Sequence, residues 1–157
     1  MVAIILRIFN PYVGVVTQLN IPKLLNMTKV GFVAGAFDFL HAGHLHLFRE
    51  CKKHCNQLVV GLHVDPSIQN KDKHKPVETL LERQLRLWGC RYVNRVVVYQ
   101  KENELTLMKE VFDIDVRFLG SDYKNGSKQI TDMGIPIIYI DSLDIHTSGL
   151  RERIKES

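Results

Sequence analysis

Lys29-Val30-Gly31-Phe32-Val33-Ala34, followed directly by Gly35-Ala36-Phe37-Asp38-Phe39-Leu40-His41-Ala42-Gly43-His44, joins two kinds of pattern without a break. The first part is a short apolar run of the kind found in parallel strands buried on both faces. Downstream, Leu47, Phe48, Cys51 and Cys55 recur at helical spacing and fall on the same face as His44. The turn between them therefore lies at the carboxyl end of a strand and the amino end of a helix, where unpaired N–H groups and the helix dipole favour an anion. Gly35 and Gly43 carry no Cβ, so a phosphate chain can approach the backbone closely. His41 and His44 place two imidazoles at this one turn, both within reach of one phosphoryl group. Taken singly, each would read as a surface or capping histidine. Bracketing a glycine inside this wider pattern, they read as a phosphate site, while His46 reads as pointing to solvent.

Working outward, strand-like and helix-like patterns alternate to the end of the chain. Leu58 to Leu62 and Val96 to Tyr99 are strand-like, with Leu80, Leu81, Leu85 and Trp88 between them as the expected core face of a helix. Leu105, Met108, Val111 and Phe112 mark a further amphipathic helix. Val116 to Leu119 and Ile135 to Ile140 are expected strands around a weak helix that includes Lys128 to Met133, and Arg151 to Lys155 belong to a closing helix. Such alternation with short links predicts an α/β fold, a Rossmann-like doubly wound five-stranded parallel sheet with helices on both faces. Its site is expected outside the carboxyl ends of the strands, where strand order reverses.

Composition agrees with a compact catalytic domain. The 157 residues are 45% hydrophobic and 24% charged, ordinary for a globular protein, and the net charge of +4 suits a small anionic substrate. No basic run is interleaved with aromatics, so no nucleic-acid partner is expected. Three cysteines, Cys51, Cys55 and Cys90, leave an odd count and point to a reducing, cytoplasmic compartment. Cys51 and Cys55 read as packing groups with His54 rotated away, and no His, Cys or carboxylate is spaced to complete a metal site. No apolar run reaches the roughly 18 residues needed to span a bilayer, so no membrane partner is expected. Residues 1–26, interrupted by Asn10 and Pro11, are expected to be an upstream extension or loosely docked arm, with Met27 as the working start and residues 27–157 as a single domain.

The pattern G-x-F-D-x-x-H-x-G-H resembles the signature of the small cytidylyltransferases, which include the glycerol-3-phosphate, choline-phosphate and ethanolamine-phosphate enzymes. The likeness runs from about Val30 to about Ile154. Leu58 to Asp65 is similar to that family's second strand, which closes on an Asp. Lys71-x-x-x-Lys75-Pro76-Val77 is similar to its lysine loop, Glu82-Arg83 with Arg91 to Val96 to its E-x-R and R-Y-V-D-x-V block, and Gly120-Ser121-Asp122-Tyr123 to its Gly-x-Asp turn. The resemblance implies a nucleotidyltransferase in which His41 and His44 stabilise the α-phosphate and Lys71 adds a cation on the triphosphate. It implies that Ala34, Gly35, Ala36, Phe37, Asp38, Gly43, Arg83, Gly120, Asp122, Thr147 and Ser148 line the nucleotide, and that Asp38, Lys71 and Lys75 meet the acceptor. Mg²⁺ is the implied cofactor, with Asp38 either near it or capping the helix. The implied partners are a nucleoside triphosphate, a phosphorylated alcohol and a second copy of the chain. Glycerol 3-phosphate is the expected acceptor, because the compact length resembles the bacterial-type enzyme.

One stretch departs from that family. Where its members carry R-T-x-G-[IV]-S-[ST]-[ST], this chain has Asp141-Ser142-Leu143-Asp144-Ile145-His146-Thr147-Ser148. Asp141 replaces the arginine, Asp144 the glycine and His146 the first serine, while Thr147 and Ser148 keep their hydroxyls at a helix start. Two further readings stay open on this ground: an adenylyltransferase of the heptose-phosphate or flavin type, and a non-catalytic nucleotide-binding module.

Overall fold

Apolar runs form a parallel sheet and amphipathic runs cover it in the computed structural model, which describes residues 5–9, 16–20, 28–124, 130–141, 143, 145 and 147–156. Two strands, β1 (Ile5–Phe9) and β2 (Val16–Asn20), pair antiparallel as a sheet of their own, inside the 1–26 segment. The main sheet contains β3 (Val30–Gly35), β4 (Gln57–His63), β5 (Arg95–Tyr99), β6 (Val116–Gly120) and β7 (Ile137–Ile140). Their order is β5-β4-β3-β6-β7 and every pairing is parallel.

Helices cover both faces, as the alternation predicts. On one face α1 (Ala42–Cys51) and α2 (Leu80–Trp88) send Phe48, Cys51 and Leu87 onto Val33, Leu58, Val60, Leu62 and Phe118. On the other, α3 (Glu104–Val111) packs Leu105 and Met108 against Phe32, Val59, Tyr99, Ile114 and Met133. A last helix, α4 (Thr147–Glu156), follows β7. From β3 the chain winds outward through β4 to β5, then crosses back to place β6 on the other side of β3. The order therefore reverses between β3 and β6, the position at which parallel sheets of this kind place their sites outside the carboxyl ends of the strands.

Several local expectations are corrected. In α2, Leu81, Leu85 and Trp88 are more than half exposed, and the buried residues are Arg83 and Leu87. Both stripes have helical spacing, so periodicity could not choose between them. The helix is turned toward the stripe whose arginine finds carbonyl partners at the strand ends. Val111 is exposed as well, because it ends α3 just before Asp113 turns the chain at φ 49°. Helix α1 stops at Cys51, and Cys55 reaches the core from the following turn. The weak helix expected through Lys128 to Met133 is absent over 130–133, and its first residues lie outside the described ones. There the chain runs irregularly: Met133 enters the core and the Gly134 N–H donates to Asp132 Oδ1 at 2.7 Å. Strand β7 begins two residues later than expected, while Arg151 to Lys155 lie within α4 as expected.

Candidate active site

The turn after β3 is fixed by its own residues before any ligand is considered. Phe37 and Phe39 both adopt φ 49°, a left-handed conformation that bulky side chains avoid. Two carboxylates from this turn and its neighbour hold it there. Asp38, 5% exposed, accepts the Val77 N–H with both oxygens at 3.1 Å and the Glu78 N–H at 3.0 Å. Glu78 returns the contact by accepting the Phe39 N–H at 2.6 Å, and its other oxygen pairs with Arg86 at 2.7 Å. The strained turn and the segment before α2 are thus laced together by charge-assisted hydrogen bonds.

Arg83 completes the lacing. Although expected to reach nucleotide, its side chain is 2% exposed and donates to the carbonyls of Glu78 at 3.2 Å and of Ala36, His63 and Val64 at 2.8 Å each. Those carbonyls belong to the ends of β3 and β4 and the entry to α2, so the guanidinium satisfies backbone acceptors that the strands leave open. Burial lowers its pKa, and the nearby Asp38 and Glu78 charges oppose that shift. Arg83 therefore positions the site from below rather than lining it.

His41 is the N-cap of α1, and its Nδ1 accepts the Gly43 N–H at 3.1 Å. His44, at the third helical position, accepts the His41 N–H at Nδ1 at 3.5 Å. The pair makes a capping box from two imidazoles, with ring centroids 3.9 Å apart and planes 25° from parallel. A ring nitrogen that accepts from an amide carries no proton, so in each neutral imidazole the proton resides on Nε2. Both rings are thereby set as Nε2–H donors beside the amino end of one helix. Phe37 is buried under this pair, edge-on to His44 at 5.3 Å and against Phe48 at 5.2 Å. The side chain of Phe37 props the imidazole from beneath, while Ala34 packs toward the α3 side of the sheet and the Ala36 carbonyl accepts from Arg83.

Three other segments arrive at the same end of the sheet. Gly120 ends β6, and a Cβ there would collide with the Asp122 carboxylate, which folds back over it from a single 3-10 turn. The Ile145 carbonyl crosses the start of α1, only 2.5 Å from where a Cβ on Gly43 would sit. Glycine at 43 is thus required by close backbone approach, and Thr147 and Ser148 follow as the first residues of α4. Lys71 and Lys75 lie exposed on the loop between β4 and α2. Lys71 makes no hydrogen bond or ion pair with a described residue. Lys75 acts electrostatically on Asp65, whose carboxyl is held below its usual range chiefly by the Ser67 hydroxyl. Asp141 is exposed, while Asp144 and His146 lie outside the described residues. Among the described residues no group of three His, Cys, Asp or Glu side chains is placed to hold a metal ion.

Glu78 escaped the sequence reading. Thr79 and Glu82 form a capping box, a pattern legible as T-x-x-E, and it would have put Glu78 immediately before a helix start at the strand ends. Charge at that point, facing an expected phosphate turn, was the available signal.

Comparison with known proteins agrees with this fold. A family model described as cytidylyltransferase-like matches residues 32–133. The chain is 35% identical over 137 residues to the bifunctional protein HldE of Helicobacter hepaticus, covering 86% of this chain and 28% of that protein. It is 31% identical over 136 residues to the ethanolamine-phosphate cytidylyltransferase of Arabidopsis thaliana, covering 80% of this chain and 32% of that protein. The chain thus spans about three-tenths of the length of these curated relatives. A solved lipopolysaccharide core biosynthesis protein from Thermoplasma volcanium superposes with a TM-score of 0.60 at 25% identity, covering 74% of this chain and 98% of that one.

Proposed function

The chain belongs to the cytidylyltransferase-like family, and from that premise we propose that it joins CTP to a small phosphorylated alcohol, with glycerol 3-phosphate as the leading acceptor, to give a CDP-alcohol and pyrophosphate. The observation that carries this reading is the imidazole capping box, two rings preset as donors at one helix amino end. In the proposed reaction a phosphate oxygen of the acceptor attacks the α-phosphorus in line, the bond to the β-phosphate oxygen breaks, and pyrophosphate leaves. Nothing becomes covalent with the protein. Its residues align the two phosphates and neutralise the charge that spreads as the bond breaks. His41 and His44 donate to the α-phosphate oxygens, the first amides of α1 add their dipole, and Lys71 or Lys75 closes over the leaving pyrophosphate from the loop. Asp38 acts by fixing that loop to the turn.

Mg²⁺ enters this reading as part of the substrate. The Asp38 carboxylate is committed to backbone amides, and a hard cation of this kind is commonly held by substrate phosphates and water. It therefore arrives on the triphosphate. We also propose that the chain works as a cytoplasmic homodimer. The apolar stripe of Leu81, Leu85 and Trp88 on α2 supports pairing, and size-exclusion chromatography of Leu85→Lys tests it by a shift to monomer. Among the described residues no helix is long and apolar enough to cross a membrane.

A second reading keeps the chemistry and changes the base, with ATP as donor and a sugar phosphate as acceptor. Asp141, where the cytidylyltransferase signature has an arginine, favours it, as does the likeness to a lipopolysaccharide core biosynthesis protein. A pyrophosphate-release screen that crosses CTP and ATP with phosphorylated alcohols separates the two. Release with CTP and glycerol 3-phosphate is the expected result, and release with ATP alone selects the second. Nucleotide binding without release from any pair would overturn both in favour of a binding module.

A further inference from the structure

The loop that carries Lys71, Lys73 and Lys75 is attached at both ends to the turn after β3. At its start the Val64 carbonyl accepts from Arg83 Nη2 at 2.8 Å, while Nη1 of the same side chain donates to the Ala36 carbonyl. At its end Asp38 binds the amides of Val77 and Glu78. Residues 68–75 between these points are exposed, and their backbone bonds are local. The Asn70 N–H donates to the Pro66 carbonyl at 3.0 Å, the Asp72 N–H to Asn70 Oδ1 at 2.9 Å and the Lys73 N–H to the Asn70 carbonyl at 3.0 Å. Such bonds shape the segment without fixing where it points.

Gln69 reaches out of the loop. Its Oε1 accepts the N–H of Glu102, in the turn that enters α3, at 3.1 Å, and the same amide is a hydrogen-bond partner of the buried His63 ring. The far end of this tether is itself held. The Tyr99 hydroxyl donates to Glu102 Oε1 at 3.4 Å, the Thr131 hydroxyl donates to Oε2 at 3.3 Å, and His63 Nε2 lies 4.0 Å from Oε1. His63 and Tyr99 end the neighbouring strands β4 and β5 in register, both buried, with their rings edge-on at 4.6 Å. Gln69 therefore fastens the middle of an exposed loop to groups that the sheet holds still. Without it residues 65–76 would form one span pinned only at its ends, and its like charges would spread into solvent. The tether shortens the span that carries the lysines to residues 70–76, so less conformational freedom is lost when they gather on an anion.

We infer that Gln69 is a positioning residue for the proposed transfer, fastening the loop so that Lys71 and Lys75 meet the leaving pyrophosphate. This rests on the nucleotidyltransferase reading above and adds the group that aims its lysines. The test has two arms on the full chain. In the first, calorimetry follows pyrophosphate binding, with Mg²⁺ present, to wild type, Gln69→Leu, Lys71→Met, Lys75→Met and each lysine variant combined with Gln69→Leu. Gln69→Leu should weaken binding roughly 5-fold. Its melting temperature should stay within about two degrees of wild type, because the residue is exposed. Where the lysine that the tether aims is already missing, Gln69→Leu should add less than about 2-fold, whereas a role in loop stability alone would act equally in every background. In the second arm, pyrophosphate release should show the loss in Gln69→Leu as a raised nucleotide KM. Unaltered pyrophosphate affinity in Gln69→Leu, no pyrophosphate binding by wild type, or an equal loss in wild type and both lysine backgrounds overturns the inference. The expected binding pattern without release from any triphosphate supports the inference and sinks the transfer reaction instead, so the two failures are distinguishable.

Discussion

The two histidine-bearing regions at the carboxyl end of the sheet are built by opposite means. His41 and His44 are held through main-chain amides within one helical turn, at 3.1 and 3.5 Å, and their tautomers follow from that local geometry. His63 is held by side chains drawn from far along the chain, Tyr99 and Glu102 among them, and its Nδ1 has no hydrogen-bond partner among the described residues. A backbone-set imidazole depends only on its own turn. A side-chain-set imidazole depends on every partner that the folded sheet brings to it. The difference teaches that a single helical turn can fix one pair of rings while only tertiary packing fixes the third.

The sharpest way to break that contrast is to remove a backbone-set ring. His44→Ala should lower turnover on the order of 10²-fold or more in a pyrophosphate-release assay, with a melting temperature within a few degrees of wild type. Residual turnover near the wild-type rate would place the chemistry elsewhere. Arg83, which joins the two regions, comes next. Arg83→Met orphans carbonyls at the ends of β3 and β4 and should cost about 3 kcal/mol in urea unfolding. A loss below about 1 kcal/mol would mean that the lacing is dispensable.

Gly43→Ala should sharpen the comparison on the backbone side. Its Cβ would push the Ile145 carbonyl away from α1, so turnover should fall roughly 10-fold while stability drops by about 1 kcal/mol. The smallest effect belongs to His63. Burial lowers its pKa from 6.5, outweighing the attraction of Glu102 and Asp65 and a hydrogen bond with Gln69, so between that value and its folded-state value the unfolded chain binds the extra proton. Its contribution is therefore present above about pH 6.5 and is lost as the pH falls below it. Between pH 7 and pH 5 the melting temperature of wild type should fall more than that of His63→Gln. Parallel curves would show that the ring is not held neutral by the fold.

How much was legible in the sequence follows from the range over which each feature is determined. The strand runs, the glycines of the turn and the imidazole pair all declare themselves within about a dozen residues, and the alternation around them is enough for a doubly wound parallel sheet. The face of α2 was illegible, because Leu81, Leu85 and Trp88 have the same spacing as the buried stripe with Arg83 and Leu87. What resolves the choice is a set of carbonyls on other strands, which local periodicity does not see.

By itself, then, the sequence determined the parallel main sheet and the imidazole pair at the β3–α1 turn, since hydrophobic period, glycine placement and helix capping are local properties. Only the tertiary structure decided that Arg83 lies beneath the turn, that Asp38 and Glu78 lock the turn to the segment before α2, and that His63, Tyr99 and Glu102 converge at the ends of β4 and β5. Each of those depends on which backbone groups the folded sheet leaves unsatisfied and on which distant side chains can reach them, a three-dimensional condition that the spacing of residues along a chain does not encode.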